Sequence, residues 1–514
     1  MALGRSLTTA PSGVNATIVR VEANIGPGLP GTYIVGLADA SISESRDRIK
    51  TAVVNSSLAW PKTKVIISLS PASLRKTGSH IDLSMAVAVL AAQNRDRQFH
   101  QRAATTMFLG EVALDGSLVP VTGVLPALLA ARDHGVEDVV IPTGNAAEAG
   151  LMDTPRVHLA KSLQEIIGWL EGLVKLDTVP PPSLDLTGDQ HPDMRDVVGQ
   201  PEARFATEVA AAGGHHMMML GPPGSGKSML AQRLPGLLPP LDERQRIEAT
   251  VVHSVAGRTF EGPVLRAPYV APHHSVSRAA LLGGGAGNPM PGAVSLAHHG
   301  VLFLDEVSEI PASTLDTLRT PLECGTVRLV RSRQDVTFPA HFQLVLAANP
   351  CRCGAEQPSG CTCTGSVRAS YLNNLSGPLR DRLDIMVNTH AKGAVLGGIE
   401  EEPTAPIASR VAEARSRQVF RWERAGLKDT VNGAVDPHRL RREFPAEEEA
   451  MVYLGVFLAD GTVSQRGVDR ALKLGWTLCD LDGGTRPNLD HIARALELRG
   501  ATHHHPTHHL EATA

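Results

Sequence analysis

The chain has 514 residues, 42% of them hydrophobic and 20% charged, with a formal net charge of −4. That length holds about three domains at roughly 150 residues each, the composition is globular, and no apolar run reaches the ~18–20 residues of a bilayer span. The slight acidity excludes nucleic-acid binding over the whole surface and leaves room only for a local basic site.

Residues 1–14 lack a charged stretch followed by an apolar leader, so a soluble, cytoplasmic protein with no membrane partner is expected. Residues 1–176 alternate β-rich runs at 17–21, 33–37, 65–69 and 139–142 with helix-like runs at 83–92 and 125–131, which predicts a compact α/β domain. Residues 177–195 are proline-rich and read as a linker, because proline fixes φ and removes a donor. From 196 to 393, apolar strands at 217–220, 301–304 and 343–347 separated by helical stretches predict a parallel sheet. Residues 394–502 are mostly helix-like, notably at 410–424, 446–458 and 491–499, and residues 503–514 form a His-rich tail read as solvated.

Gly221, Pro222, Pro223, Gly224, Ser225, Gly226, Lys227 and Ser228 follow the strand at 217–220 and precede a helix-compatible run, matching the phosphate-binding pattern G-x-x-x-x-G-K-[ST] in its required context. Glycines let backbone N–H groups close around phosphates, Lys227 is placed for the β/γ-phosphates of ATP and Ser228 for Mg²⁺. The apolar strand at 301–304 ends in Asp305 and Glu306, which puts one acid at the Mg²⁺ and the other where it polarises an attacking water. Asn349 ends another buried strand. Arg382, in Gly377-Pro-Leu-Arg-Asp-Arg-Leu-Asp384, reads either as an arginine supplied to a neighbour's γ-phosphate or as one half of a surface ion pair.

These residues, with Gly28-Leu-Pro-Gly31, Ala271-Pro-His-His-Ser275, Ser295-Leu-Ala-His298 and Asn349-Pro-Cys351, resemble the magnesium-chelatase-like AAA+ ATPases of the ComM (YifB-like) type over nearly the whole chain. The resemblance implies a multidomain α/β fold: a Lon-protease-like (ribosomal S5 domain 2-like) first domain, an AAA+ P-loop parallel-sheet core and a helical C-terminal lid. It also implies a ring, a homo-oligomer of hexamer type, with Asn349 as sensor 1, Arg382 as finger and Arg466 as sensor 2 on the lid. The activity implied is ATP-driven branch migration of DNA in recombination or DNA uptake; the alternative is a magnesium-chelatase-like or protein-remodelling motor.

The first domain is similar to the Lon protease fold around Phe108–Gly123, yet His80 stands at the nucleophile position, with Ser79 one residue off, and Leu125 where the lysine belongs. A Ser–Lys dyad needs both groups, so a protease-dead domain is expected. Cys351, Cys353, Cys361 and Cys363 form C-x-C and C-x-C pairs that suit a tetrahedral Zn²⁺, with reduced thiols as the alternative, while Cys324 and Cys479 read as small core residues. Residues 326–338 read as a β-hairpin with Arg331 and Arg333 near its tip, a DNA-phosphate contact or simply a solvated basic tip. His273, His274, His298 and His299 read as packing or inter-subunit hydrogen-bonding groups, with pore or metal residues as the alternative.

Overall fold

The first strand pair sets the N-terminal domain. Ala2–Ser12 and Asn15–Gly26 run antiparallel through a turn at Gly13, whose φ of +62° suits glycine. They form the centre of a mixed eight-stranded sheet in the order Asp177–Thr178, Arg156–Ala160, Asp138–Pro142, Met107–Phe108, Ala2–Ser12, Asn15–Gly26, Lys64–Ser70 and Gly31–Val35. Val19, Val21 and Ala23 alternate along one strand and are fully buried, as a half-covered sheet requires. The helix Asp82–Gln93 lies across this face and is buried continuously from Asp82 to Ala92. Gly4 permits that approach: a Cβ there would lie 2.1 Å from the Ala88 carbonyl oxygen. The computed structural model describes residues 2–37, 39–179, 191–258, 262–285, 289–331, 334–355, 360–371, 374–390, 401–427 and 430–500.

The helix Ala40–Asn55 goes beyond the sequence reading. Its start is fixed by Asp39, whose side chain accepts from the Ile42 N–H at 3.1 Å. Only a narrow stripe that includes Ile42, Ile49, Ala52 and Val53 is buried, under a charged outer face, so the apolar pattern is too sparse to announce it.

The second sheet is wholly parallel, in the order Tyr269–Val270, Val301–Leu304, Gln343–Ala348, Met217–Leu220 and Ile385–Asn388. Its central strands are apolar on both faces because helices cover both. The C-terminal helices pack directly on this core, and one apolar cluster runs from Met217 and Val345 through Val209 and Leu234 to Val411, Trp422, Leu472 and Leu496. The fold is therefore an α/β multidomain one, with a P-loop parallel-sheet core and a helical C-terminal region.

Two expectations are corrected. The linker is shorter than 177–195: Asp177–Thr178 pairs with Arg156–Ala160, and Met194 is fully buried in the core cluster, because each flank has an apolar or hydrogen-bonding place to go. Cys324 is exposed at a helix end and is no core residue, whereas Cys479 is buried as expected. Residues 180–190 and the His-rich tail lie outside the described residues. No helix among the described residues is long and apolar enough to cross a membrane.

The N-terminal domain is anchored to the core. Ser254 Oγ donates to the buried Glu148 carboxylate, and the Gly123 N–H donates to the Ser254 carbonyl at 3.2 Å. Val14, in the first turn, joins Val255, Val336 and Phe338 in a small apolar cluster. The domain thus touches the base of the hairpin formed by Thr326–Arg331 and Gln334–Pro339.

Candidate functional site

Four parallel strands deliver their next residues to one edge of the sheet: Gly221 after Leu220, Asp305 after Leu304, Asn349 after Ala348 and Thr389 after Asn388. Open α/β sheets hold ligands at this carboxyl edge. The helix Lys227–Leu237 begins here, and its cap, Gly226, supplies no side-chain bond, so the first-turn N–H groups face the loop. Gly224 and Gly226 have φ of +77° and +86°, and a Cβ on Gly221 would lie 2.0 Å from Thr389 Oγ1. Glycine is required at all three for different physical reasons: two by dihedral, one by space.

Lys227 is buried with its ammonium donating to the Gly221 and Pro222 carbonyls at 2.7 and 2.9 Å and to Asn349 Oδ1 at 3.1 Å. Burial holds it below the usual lysine range, against the pull of Asp305 and Glu306. Ser228 Oγ donates to Asp305 Oδ2 at 2.7 Å. Glu306 sits at φ +48°, its N–H donating to Asp305 Oδ1 at 2.8 Å. Hydrogen bonds thus join Lys227 to Asn349 and Ser228 to Asp305, two pairs set side by side by the adjacent residues 227 and 228. The chemistry of the set fits a nucleotide triphosphate with Mg²⁺: a positive cradle, a hydroxyl paired with a carboxylate, and a second carboxylate beyond.

Arg382 and Arg466 lie elsewhere. Both line a cleft of about 1360 Å³ together with His216, Gly300 and Gln343, which stand at the amino ends of the strands that carry the phosphate loop and its acids at their other ends. Four-residue strands put about 13 Å between those edges. Arg382 is 8% exposed, ion-paired with Glu323, and its Nε has no partner among the described residues. Arg466, with its side chain 67% exposed, is 3.5 Å from Asp381. Arg470 holds the buried Asp384 at 2.8 Å, and burial, then Arg470, pushes Lys473 down to about 8.

In the same cleft, Glu248, His298 and His299 bring three possible ligand atoms within 4.8 Å. Nδ1 of His298 accepts from the His341 N–H at 3.1 Å, which leaves the proton on Nε2 and removes the lone pair a metal needs there. His274 differs: its Nδ1 lies 2.8 Å from Glu306 Oε2.

The four loop cysteines meet the requirement of a tetrahedral sulfur site. All four Sγ atoms lie within 4.8 Å of one another, with Cys351 3.1 Å from Cys353 and 3.5 Å from Cys361. This loop also abuts the phosphate loop: a Cβ on Gly354, at φ +72°, would lie 2.7 Å from Pro223 Cδ. In the hairpin, Arg328 is neutralised across the strands by Asp335. Arg331 pairs with Gln334 in the ladder, and Arg333 lies outside the described residues.

In the N-terminal domain, His80 is half-buried and bonded to the Thr9 carbonyl at 2.9 Å, with burial lowering its imidazole below the usual range, Ser79 donates to Glu111, and Leu125 is fully buried. Thr389 and His274 are the site residues that the sequence reading missed. Thr389 had a signal, an apolar run at 385–387 leading to the same sheet edge; His274 had none that separates it from packing.

Comparison with known proteins agrees with this layout. The family described as "Magnesium chelatase, subunit ChlI" matches residues 193–395, "Subunit ChlI of Mg-chelatase" matches residues 21–145, and "Magnesium chelatase, subunit ChlI C-terminal" matches residues 401–499. The chain is 47% identical to the Mycobacterium tuberculosis protein Rv2897c over 97% of this chain and 99% of the relative. It is 36% identical to Escherichia coli YifB, with 97% of each covered, and 35% identical to the competence protein ComM of Haemophilus influenzae, over 97% of this chain and 98% of the relative. A partial likeness to Lon protease 2 of Bacillus subtilis, 29% identical, covers 29% of each.

Proposed function

The chain belongs to the magnesium-chelatase ChlI family, among its ComM- and YifB-like members, and from that premise we propose that it is an ATP-driven ring motor acting on DNA, by branch migration in recombination or DNA uptake. The observation that carries the ring is the separation of Lys227 from Arg382 and Arg466, which lie at opposite ends of the parallel strands. Neither Arg382 nor Arg466 stands at the Lys227 edge of its own chain, and a second copy stacked head to tail would bring them there. Such a heterologous contact closes into a ring.

Within one site, Lys227 and the open N–H groups of the helix at 227–237 hold the phosphates of ATP, the substrate. Ser228 and Asp305 hold Mg²⁺, which when bound neutralises charge on the β/γ oxygens. Glu306 takes the proton of the attacking water, Asn349 orients that water, and the neighbour's Arg382 offsets charge in the transition state, with Arg466 beside it. The thiolates of Cys351, Cys353, Cys361 and Cys363 would hold one structural Zn²⁺, which when bound would crosslink the loop whose Gly354 abuts Pro223.

DNA as partner is supported by the name of a relative, a competence protein, and by the basic tip of the hairpin at 326–339. With a net charge of −4 the chain has no general attraction to a polyanion, so Arg331 and Arg333, repeated around a ring, would carry the contact multivalently. The test is the ATPase rate with and without single-stranded, duplex and four-way-junction DNA. Stimulation by DNA that is reduced, with a flatter salt dependence, when both arginines become alanine supports the reading. A rate indifferent to every DNA form moves the assignment to a protein-remodelling or magnesium-chelatase-like motor.

A further inference from the structure

The helical C-terminal region carries an arginine-lined pocket that ATP hydrolysis does not use. On the helix Thr404–Arg424, Arg417, Phe420, Arg421 and Arg424 stand at i, i+3, i+4 and i+7, so they share one face. Together with Phe444, Ala425 and the loop at 483–485, that face lines a pocket of about 510 Å³, within the ~300–1,000 Å³ of small-ligand sites. Gly483, at φ +73°, brings the loop up to the helix: a Cβ there would stand 3.6 Å from Arg417 Nη2.

One part of this face is held and the other is open. The Arg421 guanidinium lies 4.1 Å from the Trp476 ring centroid and 5.1 Å from that of Trp422, and it ion-pairs with the fully buried Asp480. The Phe444 ring meets Trp422 edge-on at 5.0 Å. Phe420, by contrast, is 64% exposed, although burying such a ring gains about 1.5–3 kcal/mol. The Arg424 guanidinium stands 5.4 Å from its centroid, and among the described residues Arg424 makes no ion pair. Arg417 pairs with the exposed Glu413 at 3.5 Å, a surface contact weak enough for an anion to replace. Among the described residues that line the pocket there is no carboxylate.

We propose that this pocket binds a single strand of nucleic acid, one base stacking on Phe420 and its flanking phosphates lying on Arg417 and Arg424. An aromatic face left in water suits a base of any sequence, a stack worth about 1–3 kcal/mol, and a guanidinium fork matches phosphate oxygens. An acidic peptide would engage the arginines and leave the exposed ring unused, so the combination favours the nucleotide unit. The site lies apart from the hairpin at 326–339, and it stands whether or not DNA speeds ATP hydrolysis.

The experiment titrates the full chain against labelled oligothymidylate by fluorescence anisotropy, without ATP, for wild type, Phe420→Ala, Phe420→Trp and Arg424→Gln. Both positions are exposed, so all three variants should melt as wild type does. Phe420→Ala should weaken binding at least about fivefold, the lower end of one lost stack, and Phe420→Trp should bind as tightly as wild type or tighter. Arg424→Gln should flatten the slope of log affinity against log salt by about 0.7, the loss of one phosphate contact. A Phe420→Ala affinity equal to wild type, a Trp variant as weak as the Ala variant, or displacement of the strand by polyglutamate as readily as by unlabelled oligothymidylate overturns the site. So does a loss that tracks a change of assembly state in light scattering, which would make this face an interface between copies. If Phe420→Ala loses the strand while ATP hydrolysis ignores every DNA form, the site stands and the DNA-motor reading falls. If only the variant with Arg331→Ala and Arg333→Ala loses it, the hairpin contact stands and this site falls.

Discussion

Arg382→Ala separates the ring assignment from a merely structural ion pair. The guanidinium binds Glu323, whose side chain is 60% exposed, and the Pro378 carbonyl, and its Nε has no partner among the described residues. Losing a half-exposed pair and one carbonyl bond costs about 1–2 kcal/mol of stability, well inside the ~5–15 kcal/mol of a folded domain. An arginine at a neighbour's γ-phosphate is worth ~10³–10⁵ in kcat, about 4–7 kcal/mol of transition-state stabilisation. The variant should therefore melt within a few degrees of wild type, bind ATP normally and hydrolyse it at least about a thousandfold more slowly. Mixing gives the decisive reading. Arg382→Ala keeps its phosphate loop and Lys227→Ala keeps its arginine, so a 1:1 mixture of two inactive proteins restores a working interface wherever they meet in the right order, about a quarter of interfaces in random assembly. An Arg382→Ala rate within tenfold of wild type, or no recovery in a mixture shown to co-assemble, refutes the placement of the arginine across an interface.

Lys227→Ala should abolish ATP binding in a fluorescent-nucleotide titration, since the ammonium that faces the Gly221 and Pro222 carbonyls is the cradle's charge. Glu306→Gln should keep that binding and lose about 10²–10⁴ in turnover, the span of general-base catalysis. Elemental analysis of tag-free protein should give about one zinc per chain, and Cys361→Ser with Cys363→Ser should remove it and lower the melting temperature. Burial pulls the His216 imidazole down to about 4. Between about 6.5 and 4 the unfolded chain binds a proton there that the folded chain does not, so stability must fall as pH drops through that window. Asp384 adds slope only below about pH 5, where the unfolded chain's carboxyl begins to protonate: burial pushes its folded carboxyl up, but Arg470 and His215 together hold it well below the carboxylate range. His216→Asn, which can still accept from the Leu344 N–H, should flatten the decline in denaturant midpoint between pH 7 and pH 5.

The sequence by itself determined the elements whose signal is local. An apolar strand followed by Gly221–Ser228, and another ending in Asp305 and Glu306, state a phosphate site because each motif is contiguous and its strand and helix are legible from hydrophobic period alone. The same holds for the four clustered cysteines and for the hairpin at 326–339. Tertiary structure alone decided what depends on which edge or face an element occupies. Arg382 and Lys227 are both conspicuous in the sequence, yet only the parallel register of the sheet puts them at its opposite edges. His274 looks like any packing histidine until strand pairing sets its segment beside the strand that leads to Glu306. The helix Ala40–Asn55 escapes a period count because its buried stripe is narrow and its cap is a single Asp39. Hydrophobic pattern encodes which residues leave water, a property of each segment, whereas reach between side chains is a property of the packed whole.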